Sequence, residues 1–317
     1  MVTVVIPCYN AEKYLNKCVA SLIDQTYKHF KVVFVDDNST DNTYQLLRRL
    51  ESDSSLNIQV LHNFINSGPA ISRNIGIKTA DTEYITFCDS DDWYEPDYLE
   101  KMINLLEKND ADISFCGYNV VDERGNRHPR PVYGRSGLIN RDDAFSLDAD
   151  SLCMLMVKTG IMKDTLLPNL RNGEDVAIVP LLMAKSQRFV VTNKCLYNYF
   201  RRSDSASEVP TVQVVDSLLS SFQFTKSYFP AGFNYELEYL GIKNVLYSAI
   251  ITLFSIGYDR ARAENILSDF EKDFPSWRSN VYIKKMRLYK RIIITMVAER
   301  NFMGVRFVAL IRKILLK

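Results

Sequence analysis

Between residues 1 and 120, short apolar runs recur at a spacing that leaves room for one helix between neighbours. Val2–Pro7, Lys31–Val35, Ile58–His62, Tyr84–Cys88 and Ile113–Tyr118 are short and rich in β-branched and aromatic residues, so they read as strands. Helical patterns fill the gaps. Ala11–Thr26 puts Leu15, Val19, Leu22 and Ile23 on one face, Asp41–Leu50 has Thr40 or Asp41 as a cap, and Pro69–Thr79 and residues 95–109 continue the alternation. Strands that are apolar throughout are buried on both faces, which predicts a mostly parallel, Rossmann-like sheet with flanking helices: an α/β fold. Residues 122–140 are polar, with Gly125-Asn126, Pro129 and Pro131, and read as a hairpin or long loop. Residues 174–186 read as a helix and Arg188–Thr192 as a short strand. From about Thr211 strand signals fade and aromatic-rich helical patterns take over. The expected division is an α/β domain over 1–209 and an all-α add-on over 210–317.

Each of the first four strands runs into a polar cluster. These are Pro7-Cys8-Tyr9-Asn10, Asp36-Asp37-Asn38-Ser39, the stretch Asn66–Asn74, and Asp89-Ser90-Asp91-Asp92. Ligands of open α/β sheets bind outside the carboxyl ends of the strands, so the clusters are expected to share one crevice. Tyr9 offers a ring on which a base stacks, or a core contact. Asp37 accepts from the imino N–H of a uracil, or starts a turn. Arg73 meets a phosphate or organises carboxylates, and Asn74 has helix capping as its plain alternative. The Asp89–Asp92 run crowds carboxylates that repel one another unless a cation intervenes. Hard oxygens on one turn suit Mg²⁺ or Mn²⁺, although a helix cap explains a single Asp here equally well.

Taken together, Val4-Val5-Ile6-Pro7-Cys8-Tyr9-Asn10, Val35-Asp36-Asp37-Asn38-Ser39-Thr40-Asp41, Ser72-Arg73-Asn74-Ile75-Gly76 and Phe87-Cys88-Asp89-Ser90-Asp91-Asp92 resemble family 2 glycosyltransferases of the GT-A fold. The likeness runs to about residue 205. It implies a UDP-sugar donor, a divalent metal (Mn²⁺ or Mg²⁺) and inversion at the anomeric carbon. Carried over by position, it implies base contacts from Pro7, Tyr9 and Asp37, Asp89 on the ribose or metal side, and Asp91 as metal ligand; Asn10, Asn66, Arg73 and Ser90 complete the expected donor-binding set. Ser72 stands where the family often has Ala.

Asn172-Gly173-Glu174-Asp175 precedes an apolar helix, whose N-terminus acids stabilise. Inverting transfer also needs a carboxylate that takes the acceptor's proton. The Gly-Glu-Asp resembles the family's base motif, which implies Asp175 as base and Glu174 as acceptor-positioning partner or alternative base. Leu196–Ser207 reads as a polar, basic loop, with Arg201 and Arg202 suited to a lid over a diphosphate. The Gln-x-x-Arg-Trp motif of processive synthases is missing, which implies one sugar per encounter.

The net charge of +1 conceals an asymmetry. From Trp277 on, eleven basic residues face one acid, Glu299, so this segment is +10 and residues 1–276 carry −9 by difference. The tail reads as a helical bundle with a solvated basic face, or as a segment that meets an anionic membrane surface; nothing resembles a nucleic-acid recognition module. Six scattered cysteines without C-x-x-C read as core residues in a reducing compartment. The first strand begins at Val2 and no apolar run approaches the ~18 residues of a membrane span, so a cytoplasmic enzyme, peripheral at most on the inner face of the cell membrane, is expected. The reading is a metal-dependent, non-processive hexosyltransferase, with UDP-galactose or UDP-glucose favoured over UDP-N-acetylhexosamine. Its acceptor would be a glycan on a surface glycoprotein or a lipid-linked polysaccharide precursor, and a homodimer is left open. The rivals are an inactive nucleotide-sugar-binding scaffold, opposed by intact Asp91 and Asp175, and a sugar nucleotidyltransferase, opposed by the absence of glycine from Cys8–Lys13.

Overall fold

The computed structural model describes residues 1–170, 172–202 and 210–315. The chain forms two compact units, Met1–Ser203 and Asp204–Lys317. Residues 203–209, which include the last part of the expected lid and the residue before the expected boundary, lie outside the described residues, as does Lys317.

The first unit is built on one ten-stranded sheet. In chain order its elements are β1 (Val2–Cys8), α1 (Leu15–Ile23), β2 (Phe30–Asp36), α2 (Thr43–Asp53), β3 (Asn57–His62), α3 (Pro69–Thr79), β4 (Tyr84–Phe87), β5 (Trp93–Tyr94), α4 (Tyr98–Asn109) and β6 (Ile113–Val121). There follow β7 (Arg127–Arg130), β8 (Gly137–Ile139), α5 (Arg141–Phe145), β9 (Leu155–Lys158), α6 (Thr159–Lys163), α7 (Glu174–Lys185) and β10 (Phe189–Phe200). The sheet order is β3-β2-β1-β4-β9-β6-β10-β5, with β7 on β6 and β8 on β10. β1 pairs parallel with β2 and β4, β2 with β3, and β6 with β10. β9 is antiparallel to both its neighbours, β4 and β6. The long strands therefore share one carboxyl edge. Val2, Val4, Val5, Ile6, Val32–Val35, Ile85 and Phe87 are fully buried, as expected of a sheet covered on both faces.

One stretch differs from the sequence expectation. Leu196–Phe200 belongs to β10 rather than to a loop, because Tyr197–Phe200 pair with Tyr118–Val121 of β6. The expected hairpin after β6 exists: β7 returns antiparallel along β6 after a turn in which Gly125 has φ +84°.

Close approach of helix to sheet is decided at Gly76. A Cβ there would lie 2.3 Å from Val5 Cγ1, so only glycine lets α3 pack on β1 and carry Arg73 and Asn74 to the carboxyl edge.

The second unit is helical throughout its described residues. α8 (Val212–Tyr228) and α9 (Asn234–Gly241) are followed by a π-helical stretch, Ile242–Ala249, that continues into α10 (Ile250–Ile256). α11 (Arg260–Asp273), two short 3₁₀ turns (Trp277–Ser279, Val281–Lys285), α12 (Leu288–Ala298) and α13 (Phe302–Leu315) complete it. Phe222, Phe254, Leu267, Phe270, Trp277, Val297 and Phe302 form its core. The helical run Asn234–Ile256 is 23 residues long and apolar, but most of it is buried, the pattern of a core helix.

Candidate active site

Parallel register brings the polar clusters together. Cys8 lies beside Asp36 across β1 and β2, and Cys88 N–H donates to Val5 O, so the ends of β1, β2 and β4 form one edge. Beyond it the chain turns sharply. Asn10 and Asn38 adopt left-handed backbone, with φ of +49° and +59°, a conformation Asn tolerates better than most residues. Asn10 N–H donates to Ser39 Oγ (3.0 Å) and its Oδ1 accepts from Thr40 N–H (2.8 Å), which laces the β1 loop to the β2 loop. Pro7 is buried, whereas Tyr9 is 50% exposed at this edge, an aromatic face open to a ligand.

Asp37 is buried and organises the neighbouring turn. Its Oδ1 accepts from Asn63 Nδ2 (2.7 Å) and Ser67 N–H (3.0 Å), and its Oδ2 accepts from Gly68 N–H (2.7 Å). Gly68 sits at φ +88° in front of α3, a region that L side chains rarely adopt. Asp37 thereby shapes one wall of a cavity of about 760 Å³, lined by Asn66–Pro69, Ile71, Asn169, Leu170 and Asn172. A base N–H arriving at Asp37 would have to share or displace these donors.

Arg73 is the hub. It is buried, donating from Nη1 to Glu174 Oε1 (2.7 Å) and from Nη2 to Asp89 Oδ1 (2.6 Å). One guanidinium thus joins the end of β4 to the start of α7. Burial alone would lower its affinity for the proton. Asp89 and then Asp175 outweigh that, so the group is held firmly charged. Asn74, the next residue, accepts from Leu167 N–H (2.9 Å) and donates to Leu167 O (2.8 Å). It is a clamp on the segment that leads to Glu174, not a helix cap.

Asp175 lies in the first turn of α7. Its Oδ2 accepts from Ser151 Oγ (2.9 Å) and Leu152 N–H (3.1 Å). Its Oδ1 is buried and has no hydrogen-bond partner among the described residues. Burial pushes its pKa up to about 6, Arg73 pulls it down, and Glu174 and Asp89 add to the rise. A carboxylate with one oxygen anchored, the other unpartnered and a pKa near neutrality has the properties of a general base.

The three aspartates after β4 have separate fates. Asp92 is buried, accepting from Tyr197 OH at Oδ2 (2.5 Å) and Phe200 N–H at Oδ1 (2.7 Å), so it binds the turn to β10. Burial, and then the charges of Asp89 and Asp91, push its carboxyl well above the usual range. Asp89 and Asp91 are half-buried, as is Ser90 between them. Asp91 pairs with Arg202 Nη2 at 3.1 Å, and the Arg202 guanidinium lies 4.7 Å from the Tyr14 ring. Arg201 follows β10, its N–H donating to Val121 O. Three or more His, Cys, Asp or Glu side chains in metal-holding geometry do not occur among the described residues. Two carboxylates of one turn, here compensated by two arginines, nonetheless fit a hard divalent ion that takes its other oxygens from substrate phosphates.

The structure therefore gathers Arg73, Asp89, Glu174 and Asp175 at one point and joins Asp91 to Arg202. It places Tyr9 and Asn10 on the same carboxyl edge, with Asn66 lining the cavity and Asp37 buried behind the Ser67–Gly68 wall. Ser151, Tyr197 and the clamp role of Asn74 escaped the sequence reading. Ser151 stands in a region without local pattern, and Tyr197 was hidden inside what looked like a loop.

Residues 3–164 match the family model described as Glycosyl transferase family 2. A Bacillus subtilis glycosyltransferase named for teichuronic acid biosynthesis is 30% identical over 208 residues, 65% of this chain and 81% of that protein. The glycosyltransferase GlyA of Streptococcus pneumoniae is 30% identical over 234 residues, 69% of this chain, but this match spans only 33% of GlyA. Among solved structures, Staphylococcus aureus TarS in complex with UDP-GlcNAc superposes with a TM-score of 0.65 at 20% identity, covering 97% of this chain and 90% of that one.

Proposed function

Because the chain belongs to glycosyl transferase family 2, we propose that this enzyme moves one sugar from a UDP-sugar to a cell-surface glycan under construction, with inversion at the anomeric carbon. The observation that carries the reading is the Glu174–Arg73–Asp89 bridge, which ties the end of β4 to the residue beside Asp175. Relatives named for teichuronic acid biosynthesis and for poly(ribitol-phosphate) glucosylation support an acceptor of the cell envelope. UDP-glucose or UDP-galactose is the donor we favour. UDP-GlcNAc, which TarS binds, is the alternative.

In this reading Asp175 Oδ1 takes the proton of the acceptor hydroxyl while Ser151 and the Leu152 N–H hold Oδ2 in place. Glu174 cannot swing freely, because Arg73 holds it, and it orients the acceptor beside the base. The same guanidinium fixes Asp89 and contributes positive charge near the diphosphate end of the donor. Tyr9 stacks on the base, Pro7, Asn10 and Asp37 shape the edge around it, Asn66 borders the cavity, and Ser90 lies on the donor side. Asp89 and Asp91 would hold a divalent ion, Mn²⁺ or Mg²⁺, which when bound would neutralise charge on the departing UDP. Arg202, now on Asp91, and Arg201 beside it meet the diphosphate. The reaction runs in the cytoplasm and adds one sugar per encounter.

The test is a donor screen that follows UDP release with cell-envelope acceptors, followed by NMR assignment of the new glycosidic bond. Release from a UDP-sugar, with the anomeric configuration inverted in the product, is expected. A retained configuration, or activity with a nucleoside triphosphate and sugar phosphate instead, would overturn the proposal.

A further inference from the structure

Helix α13 presents an apolar face to solvent. Phe302, Val305 and Ala309 fill the core of the helical unit, the face an amphipathic helix is expected to bury. The other face, where a surface helix carries charge, carries Met303, Phe307, Leu310 and Ile311 instead. Their spacing of i, i+4, i+7 and i+8 makes one stripe, and Met303 and Phe307 are each 66% exposed. α12, which packs against α13, also exposes Leu288, Tyr289 and Ile292. Single exposed hydrophobic residues are ordinary, but four in a stripe mark an interaction surface.

The charge of the same segment identifies the partner. Residues 284–312 hold Lys284, Lys285, Arg287, Lys290, Arg291, Arg300, Arg306 and Arg312 against the single acid Glu299. Arg300 is answered by Glu271. Arg306 lies over the ring of Tyr258 and Arg312 donates to Tyr247 OH, contacts that bring no counter-charge. An isologous contact with a second copy would set this basic surface against itself. An anionic lipid leaflet complements both features, since interfacial helices immerse an apolar face while lysines and arginines meet lipid phosphates.

We propose that the α12–α13 pair seats the protein on an anionic lipid leaflet, with Met303, Phe307, Leu310 and Ile311 entering the boundary between headgroups and acyl chains. Vesicle binding requires no sugar substrate, so its outcome is independent of the transfer reaction.

The test floats the full chain with vesicles of phosphatidylglycerol in phosphatidylcholine, and with phosphatidylcholine alone, at rising salt. Binding is expected only with the anionic lipid, weakening as salt shortens the reach of the charges. Lys284→Ala with Arg291→Ala should lower the partition roughly 25-fold, about fivefold per charge. Phe307→Ser with Leu310→Ser should lower it by about tenfold or more. All four positions are exposed, so circular dichroism melts should match the parent and separate lost binding from lost folding. In Phe307→Trp, new emission should shift to the blue and be quenched by brominated acyl chains. Equal binding to neutral vesicles, no binding, or an unquenched signal would overturn the proposal. So would a solution dimer that Phe307→Ser disperses without any effect of vesicles, which would assign the stripe to a second copy.

Discussion

Replacing Asp175 by Asn removes the proposed proton acceptor and little else. The amide oxygen of Asn can still accept from Ser151 Oγ and Leu152 N–H, the two contacts that hold Asp175 Oδ2, so the start of α7 should keep its place. What is lost is the basicity of Oδ1. A positioned general base contributes about 10²–10⁴ in rate, equivalent to roughly 3–5 kcal/mol of barrier. Asp175→Asn should therefore bind donor normally and turn over about 10²–10⁴-fold more slowly. The sign of the pH dependence follows from the same environment. The base works deprotonated, and burial has raised its pKa to about 6. Turnover should rise with pH and level off above neutrality, falling to about a tenth of its plateau one unit below the pKa. Glu174 is one of the charges that raise Asp175, so Glu174→Gln should move the acid limb to lower pH. Initial rates of UDP release at saturating donor, measured across the acid limb for parent and both variants, would check this. A flat profile, near-parental turnover in Asp175→Asn, or an acid limb that Glu174→Gln leaves in place would refute the assignment.

Other consequences can be measured separately. Arg73→Met leaves Glu174 and the less buried Asp89 without their shared cation, and loss of one partner of a buried pair costs about 3–5 kcal/mol, which urea denaturation should register as a lower midpoint. Chelation by EDTA should abolish transfer and Mn²⁺ or Mg²⁺ restore it, while Asp91→Asn should stay folded and respond poorly to added metal; full activity in chelator would remove the metal from the mechanism. Gly76→Ala places a methyl 2.3 Å from Val5 Cγ1 and should lower stability by about 1–3 kcal/mol, read from the thermal midpoint.

Much of the α/β framework was legible because it is local. Apolar runs of strand length separated by helical patterns require only near neighbours to be recognised, and β1–β4, with α1–α3 between them, appear where the pattern puts them, within a few residues at their ends. The carboxyl-edge clusters were legible for the same reason: parallel strands must all end on one side. The short elements were not. β5 has two residues and β9 four, too few to show a period, and β9 enters between β4 and β6 from far along the chain. The apolar pattern of β10 stops early because its second half, Tyr197–Phe200, is polar, and only pairing with β6 keeps it a strand.

The division of labour among like residues belonged to the tertiary structure alone. Asp89, Asp91 and Asp92 are equivalent in a string of letters. They differ because Tyr197, 105 positions away from Asp92, closes over it, whereas Asp89 and Asp91 stay half-buried and face arginines. Arg73 acquires its role from Asp89, 16 positions on, and Glu174, 101 positions on. Local residue order specifies backbone preference and which face is apolar. Desolvation and charge pairing, which raise Asp175 toward neutrality and hold Arg73 charged, depend on what the folded chain packs around each group, and that is settled only when distant segments meet.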